Sequence, residues 1–433
     1  PGITEEADGE RPAETGDAPE ITEGADEKPS TVPDPPEFTW DTDVQEVFEL
    51  GALHGLSKED IRSEYNLFKA FSEKIEGNDG LKKYKDIVYR IFPVIAENRA
   101  YIDCDLLLER LGDLQFNECE LEVGEHGIYH DPECVIDIST NNDENTLFKV
   151  PATVFHELMH FVDFSAGKKA GSAFLLEGKP ISLEEFLNLS STDMQKAIPC
   201  YNADYIVEGG AELFTAKYFS GAINSYPDIA QFLTGIEHIY GTERLSELFL
   251  SPMSDALIAK MFYDAGYSQE EFEAVHDTLN RLTYPEMYDE PAEYVSLADM
   301  LIDLYEAELG DGWKTDDYFL YILKAINSIG GEDYKSSKRA DFLKDVMFKT
   351  WEEHDEFVNK LYSGFPSMPE LTIMPPTPVI RDGRKTIGEY AIWKDEDGKE
   401  IRGSISAEYD FVTGKPTGYE TIDMLEIARG LAD

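Results

Sequence analysis

Near the middle of the chain runs Val154-Phe155-His156-Glu157-Leu158-Met159-His160-Phe161-Val162-Asp163, which combines side chains that hold a metal with one that can move a proton. His156 and His160 are four apart, so on a helix they lie one turn apart on one face and both imidazoles can reach a single ion. Neutral imidazole suits zinc, and a helix keeps the pair preorganised. Glu157, beside the first histidine, is placed to accept a proton from a water on that ion. The neighbours Val154, Phe155, Leu158, Phe161 and Val162 make this a buried helix. Two histidines and a glutamate in such surroundings need partners, because burying unpaired polar groups costs several kcal/mol.

A second acidic motif follows in Tyr201-Asn202-Ala203-Asp204-Tyr205-Ile206-Val207-Glu208-Gly209-Gly210-Ala211-Glu212. Glu208 and Glu212 share a helix face, where like charges repel unless a cation or hydrogen bonds absorb them. A hydrolytic zinc site takes three protein ligands and keeps one position for water. His156, His160 and Glu208 fill that count and leave Glu212 to orient a histidine from behind. Asp163, on the histidine face, is a candidate for the same supporting task; the plainer reading is a polar residue near a helix end. For the two glutamates the plainer reading is a solvated pair at the start of a helix.

The surrounding elements are legible in outline. Pro151 opens a helix running to about Ala166, with Gly167 placed to end it. Upstream, Gly127–His130, then Asp131-Pro132-Glu133, then Cys134–Ile138 read as strand, turn and strand. From Asp41 to about Ala96 apolar residues recur at three- and four-residue spacing, among them Phe48, Ile61, Phe68, Phe71 and Ile75, which predicts helices; Ser57 and Asp60 form a capping-box pattern. From about Ala203 to Lys360 the texture is mostly helical, with turns near 221–227, 240–252 and 284–291. After Pro366, Pro369, Pro375, Pro376 and Pro378, the runs Thr386–Lys394 and Glu400–Phe411 flank Asp395-Glu396-Asp397-Gly398, a hairpin signal. The expected organisation is an acidic arm over 1–37, a main domain over 38–365 and a connector with a small β-rich module over 366–433. Within the main domain, 38–100 is a helical lead-in, 101–167 carries the sheet and active-site helix, and 168–365 is a helical half.

Together the HExxH helix and the downstream E-x-x-x-E helix resemble the gluzincin metallopeptidases. Within that group, His156-Glu157-Leu158-Met159-His160-Phe161-Val162-Asp163 and Glu208-Gly209-Gly210-Ala211-Glu212 look most like the lethal-factor type of catalytic domain, which has HExxHxxD, then ExxAE, and a functional tyrosine seven residues before the third ligand. Tyr201 stands at that position here. The resemblance covers about 125–220, and Met159 stands where Gly is common in the group, a departure that alters helix packing and leaves the ligands in place.

The resemblance implies an α+β zincin-like core, a small mixed sheet on the active-site helix and a large helical second half. It implies Zn2+ held by His156, His160 and Glu208, with Glu157 as general base and Tyr201 stabilising the oxyanion; Tyr205 is the rival for that last task. Gly127, Ile128 and Tyr129 would form the edge strand along which an extended peptide lies, by strand addition. The implied activity is zinc-dependent hydrolysis of peptide bonds in a peptide or protein substrate. Two other readings stay open: a zinc amidase acting on cell-wall peptides, and a non-catalytic surface binding protein on a zincin scaffold, against which the intact Glu157 argues.

Composition excludes more than it identifies. The 433 residues carry 88 Asp and Glu against 37 Lys and Arg, a formal charge of −51. Such a charge repels phosphate backbones, so nucleic acid is not an expected partner, and it disfavours anionic membranes. It would favour cationic peptides. No apolar run is long enough for a spanning helix. Residues 1–37 hold twelve acidic and two basic side chains, seven prolines and no aromatic residue, the composition of a disordered, extended arm. The first residue, Pro1, points to removal of a preceding segment, hence an expectation of a secreted or surface-anchored protein with an anchor upstream of residue 1. Four cysteines, Cys104, Cys119, Cys134 and Cys200, form no C-x-x-C pair and leave free thiols and one disulfide equally open. His126 and His130 bracket the strand turn and read as surface residues. His54, His238, His276 and His354 have no ligand spacing, and Phe262, Tyr263, Tyr318, Phe319 and Tyr321 read as core.

Overall fold

A computed structural model describes residues 42–122, 125–141, 146–166, 173–177, 179–182, 185–186, 188–194, 196–199, 203–223, 225–251, 253–284, 295–330, 339–346, 351–362, 371–372, 377–381, 383–395 and 397–432. The acidic arm, Phe38, Trp40, Gly167, Cys200, Tyr201, Glu396 and the connector prolines Pro366, Pro369, Pro375 and Pro376 lie outside them. Residues 46–433 form one unit; of 1–45, only 42–45 are described, in the helix Thr42–Leu53.

The described residues are α+β, mostly helical, with three small sheets among them. Its lead-in is the expected run of helices, including Lys58–Arg62, Tyr65–Glu76, Lys85–Tyr89 and Phe92–Glu97. The Ser57 hydroxyl accepts from Asp60 N–H while the Asp60 carboxylate accepts from Ser57 N–H, so both halves of the capping box form. The three- and four-residue spacing puts Phe68, Phe71 and Phe92 in one core, with Phe68 and Phe92 edge to face at 4.9 Å. Burying each such ring contributes roughly 1.5–3 kcal/mol.

The first sheet has the order β1 (Gln115–Cys119), β3 (Val135–Ser139), β2 (Gly127–His130). β2 and β3 are the antiparallel pair read from the sequence, with Gly127 opposite Ile138 and His130 opposite Val135. β1 pairs parallel to β3 and leaves β2 at an edge. The sheet lies against the HExxH helix, Val150–Ser165, where Tyr129 meets Phe161 edge-on at 6.1 Å. Pro151 sits in this helix's first turn, as expected, and apolar residues on every side bury it all round.

The helical half expected over 168–365 opens with strands. Residues 173–199 carry a three-stranded sheet in the order β5 (Lys179–Ser182), β4 (Ala173–Leu176), β6 (Ile198–Pro199). Strands of two to four residues are too short to display period-two alternation. Beyond them the helices resume with Asp204–Thr215, which passes through a π-turn at Ala216–Ser220 and stops at Gly221, in the left-handed region at φ 71°. Next come Pro227–Tyr240, Thr242–Leu250, Ser254–Asp264, Gln269–Thr283, Leu297–Leu309 and Asp317–Gly330. Among the described residues no helix is long and apolar enough to cross a membrane.

At the C-terminus the expected hairpin forms from β9 (Arg384–Lys394) and β10 (Glu400–Asp410), extended by β11 (Lys415–Ile422), β8 (Thr377–Arg381) and β7 (Leu371–Thr372). This sheet is docked tightly on the helices. Ile387, Ala391, Ile405 and Ala407 pack with Tyr321 and Ala325 of helix Asp317–Gly330. The Ser404 hydroxyl donates to the Ser220 carbonyl, and Thr234 Oγ1 donates to the Pro378 carbonyl at 3.1 Å. The final helix, Met424–Ala432, packs on Leu147–Lys149 and the HExxH helix.

Candidate metal centre

The HExxH helix and the helix Asp204–Thr215 lie side by side, and their facing sides bring the two sequence motifs together. The Glu-Gly-Gly-Ala-Glu spacing explains how. Glu208 and Glu212, one turn apart, turn toward the histidines, while Gly209 and Gly210 lie against other helices. A Cβ on Gly209 would sit 2.3 Å from Ile229 Cγ2, and one on Gly210 2.3 Å from Phe249 Cδ2. The glycines therefore let the helices Pro227–Tyr240 and Thr242–Leu250 press the glutamate-bearing helix into place.

Three donor atoms converge. His156 Nε2 is 3.1 Å from His160 Nε2, His156 Nε2 is 3.5 Å from Glu208 Oε2, and His160 Nε2 is 3.4 Å from the same oxygen. Ligands about 2.0–2.1 Å from a tetrahedral ion stand about 3.4 Å from one another, so this triangle has the size that a metal of zinc's radius requires. Among the described residues, His156, His160 and Glu208 are the group of metal-ligating side chains that could hold an ion. Both histidines are buried and Glu208 nearly so.

Supporting groups fix the ligands. Glu212, 1% exposed, places Oε2 3.0 Å from His156 Nδ1. That contact favours the tautomer in which Nδ1–H donates to the carboxylate and the Nε2 lone pair faces the triangle. Its other oxygen, Oε1, accepts from the Ser225 backbone N–H at 2.9 Å. Burial alone would strip the charge from His156, but its hydrogen bonds to Glu208 and Glu212 outweigh that and raise its pKa well above the ordinary value. Burial would likewise raise Glu208, yet the two histidines hold its pKa well below the usual carboxylate range. The carboxylates therefore draw positive charge to this point, which a divalent cation answers as well as a proton does.

Glu157 belongs to the same pocket. It is buried, and desolvation raises its pKa, opposed by the neighbouring His160 and His156 and by a hydrogen bond from the Tyr129 backbone N–H. The edge strand β2 runs directly over it. A Cβ on Gly127 would lie 2.8 Å from Glu157 Cγ, 2.9 Å from Glu157 Oε1 and 2.9 Å from Thr153 Cγ2.

Of the remaining sequence candidates, Tyr201 lies outside the described residues. Tyr205 is wholly buried and meets His276 edge-on at 5.6 Å, in the core beside the glutamate helix. Asp163 is wholly buried one turn beyond His160. His130 pairs with Asp137 at 3.0 Å, His54 with Asp86 at 2.6 Å and His238 with Asp316 at 2.7 Å, each a local contact away from the triangle. Cys104, Cys119 and Cys134 carry free thiols.

Two tyrosines that sequence reasoning passed over enter the site. The Tyr226 ring stacks on His156 at 6.2 Å, and its hydroxyl hydrogen-bonds to Glu208; burial first, then the charges of Glu208 and Glu157, raise its pKa. Its backbone is left-handed (φ 47°, ψ 45°), a conformation costly for a non-glycine residue and found disproportionately at functional sites. The Tyr284 hydroxyl donates to Glu208 Oε1 at 3.1 Å. One signal was available: Tyr226-Pro227 and Tyr284-Pro285 are the chain's two Tyr-Pro dipeptides. A proline restricts the residue before it, so such a tyrosine is held at a turn or helix boundary. No family model, curated protein or solved structure matches the chain.

Proposed function

We propose that this protein is a zinc-dependent endopeptidase with a zincin-like core. The observation that carries the reading is the triangle of His156 Nε2, His160 Nε2 and Glu208 Oε2, with the buried Glu157 beside it under an edge strand. Two imidazoles and one carboxylate are the donor set of thermolysin-type zinc sites. Zinc bound there supplies Lewis acidity, polarising a carbonyl and acidifying water.

The residues divide the remaining work. His156 presents the Nε2 lone pair to the ion when its Nδ1–H donates to the Glu212 carboxylate. Glu157, whose carboxyl is raised by burial, takes a proton from the attacking water and returns it to the leaving nitrogen as the peptide bond breaks. The neighbouring His160 and His156 oppose that rise. Tyr226, its hydroxyl beside Glu208, donates a hydrogen bond to the substrate carbonyl oxygen as negative charge builds there. The edge strand β2 offers backbone donors and acceptors to an extended peptide, which fixes the scissile bond over Glu157.

The test is direct. Purified protein is assayed for metal by elemental analysis and for cleavage of a peptide library, beside Glu157→Gln. Wild-type protein should hold one equivalent of zinc and cleave, while Glu157→Gln should hold the same zinc and lose cleavage. Full turnover by Glu157→Gln would remove the base from the mechanism, and a wild type that takes up no zinc would remove the enzyme.

A further inference from the structure

Glu208 has two carboxylate oxygens, and they face different partners. Oε2 points at both imidazole Nε2 atoms, at 3.5 and 3.4 Å, whereas Oε1 accepts a hydrogen bond from the Tyr284 hydroxyl at 3.1 Å. A carboxylate free to rotate can bind a cation through one oxygen or through both. Here one of the two is already engaged.

The element that brings Tyr284 to this point is built to stay put. Tyr284 caps the C-terminal end of the helix Gln269–Thr283, its backbone N–H donating to the Asn280 carbonyl. A complete capping box, Ser268 with Glu271, fixes the other end, and Phe272, Val275 and Leu279 bury its inner face. Midway along, His276 meets the ring of Tyr205 edge-on at 5.6 Å. Tyr205 is on the Glu208 helix, one turn before Glu208 itself. The two helices are therefore tied at Tyr205–His276 and again at Tyr284–Glu208, so the hydroxyl is set relative to the carboxylate at two points.

We propose that Tyr284 is a positioning residue that commits Glu208 to one-oxygen ligation, through Oε2, and so keeps a coordination position open at the metal. The inference rests on the metal part of the function proposed above. Tyr284 reaches the metal only through Glu208. Without its hydroxyl, Oε1 is free to swing onto the ion, close the open position and loosen the geometry of the other two ligands.

The experiment uses the whole protein, wild type and Tyr284→Phe, loaded with zinc or with cobalt(II). Zinc affinity is read by competition with a chromophoric chelator, and coordination number by the intensity of the cobalt d–d bands, which falls as four-coordinate cobalt becomes five-coordinate. The expected result is zinc affinity weaker by roughly 10–100-fold, the usual effect of removing a group that orients a ligand, together with weaker d–d bands. Wild-type affinity and an unchanged cobalt spectrum in Tyr284→Phe would overturn the proposal. Infrared spectroscopy of the wild type, with Glu208→Gln to assign the band, reads the same property without altering Tyr284. A wide splitting of the carboxylate stretches supports one-oxygen ligation; a narrow one overturns it even if Tyr284→Phe fails to fold. A wild type that binds neither metal defeats the metal reading itself, which is a different outcome from either.

Discussion

On the proposed function, replacing Gly127 by alanine separates catalysis from metal binding, because the atoms nearest to an added Cβ belong to Glu157 and Thr153 and not to His156, His160 or Glu208. An added methyl would lie 2.8 Å from Glu157 Cγ and 2.9 Å from both Glu157 Oε1 and Thr153 Cγ2, whereas ordinary contact begins at 3.4 Å. About 0.6 Å must therefore be absorbed by the strand, by Glu157 or by both. Thr153 and Glu157 belong to a helix buried on all sides, so the helix has little room to retreat. The strand is an edge strand and gives more easily, but moving it also lengthens the bond from Tyr129 N–H to Glu157. Overpacking of this kind costs typically about 1–3 kcal/mol of stability. A displacement approaching 1 Å near the reacting atoms costs on the order of 10²-fold in rate. Gly127→Ala should accordingly lose roughly 30- to 100-fold in kcat/KM on a peptide substrate, with zinc content and zinc affinity as in the wild type. The assay pairs steady-state cleavage with chelator competition. Unchanged cleavage would show that Glu157 does not work beneath β2, and a parallel loss of zinc would show that the strand supports the ligands instead.

Two further substitutions test the framework around the site. Burial pushes the Asp228 carboxyl from 3.8 up to about 7, and one of its oxygens has no hydrogen-bond partner among the described residues. The folded state thus favours the protonated acid: its contribution to stability is complete below the unfolded value and lost as pH rises through about 7. Asp228→Asn should raise the melting temperature at about pH 8, by at most about 4 kcal/mol of stability, and change it little at about pH 4; equal melting at the higher pH would contradict this. At Gly388 a Cβ would fall 1.5 Å from the Gly221 carbonyl oxygen, with no flexible side chain to yield. Gly388→Ala should destabilise by about 3 kcal/mol or more and weaken zinc binding as well. A wild-type melt would show that the sheet is not seated there.

How much of this was legible depends on whether the signal is local. The HExxH spacing is a property of one helical turn, and the structure brings His156 and His160 together as that spacing requires. Glu208 and Glu212 were readable for the same reason, although their division of labour, one oxygen toward the triangle and one carboxylate behind His156, needed the packing of two helices. Hairpins with clear turns, Asp131–Glu133 and Asp395–Gly398, were found because adjacent strands announce themselves. β1 was not, since its parallel partner β3 follows an intervening strand and Gln115-Phe116-Asn117-Glu118-Cys119 scarcely alternates. Tyr226 and Tyr284 stand 18 and 76 residues beyond Glu208 and share no period with it; only tertiary packing makes them neighbours.

The C-terminal sheet illustrates why a site read from two motifs underestimates what holds it. The donor triangle measures the separation of two helices, and that separation needs bracing somewhere outside the triangle. Gly221, where the glutamate helix ends after its π-turn, has its carbonyl under the backbone of Gly388, and Ser220 accepts from Ser404. Phe148, just before the HExxH helix begins, meets Tyr390 edge-on at 5.9 Å. One strand, β9, therefore grips the entry of the histidine helix and the exit of the glutamate helix together. A shift of that strand moves one helix against the other, and with donors only 3.1–3.5 Å apart a slip of half an ångström is enough to spoil the fit of an ion about 2 Å from each. The sheet some 170 residues beyond Glu208 is thus part of the geometry of the candidate metal centre, although it supplies none of the three donor atoms.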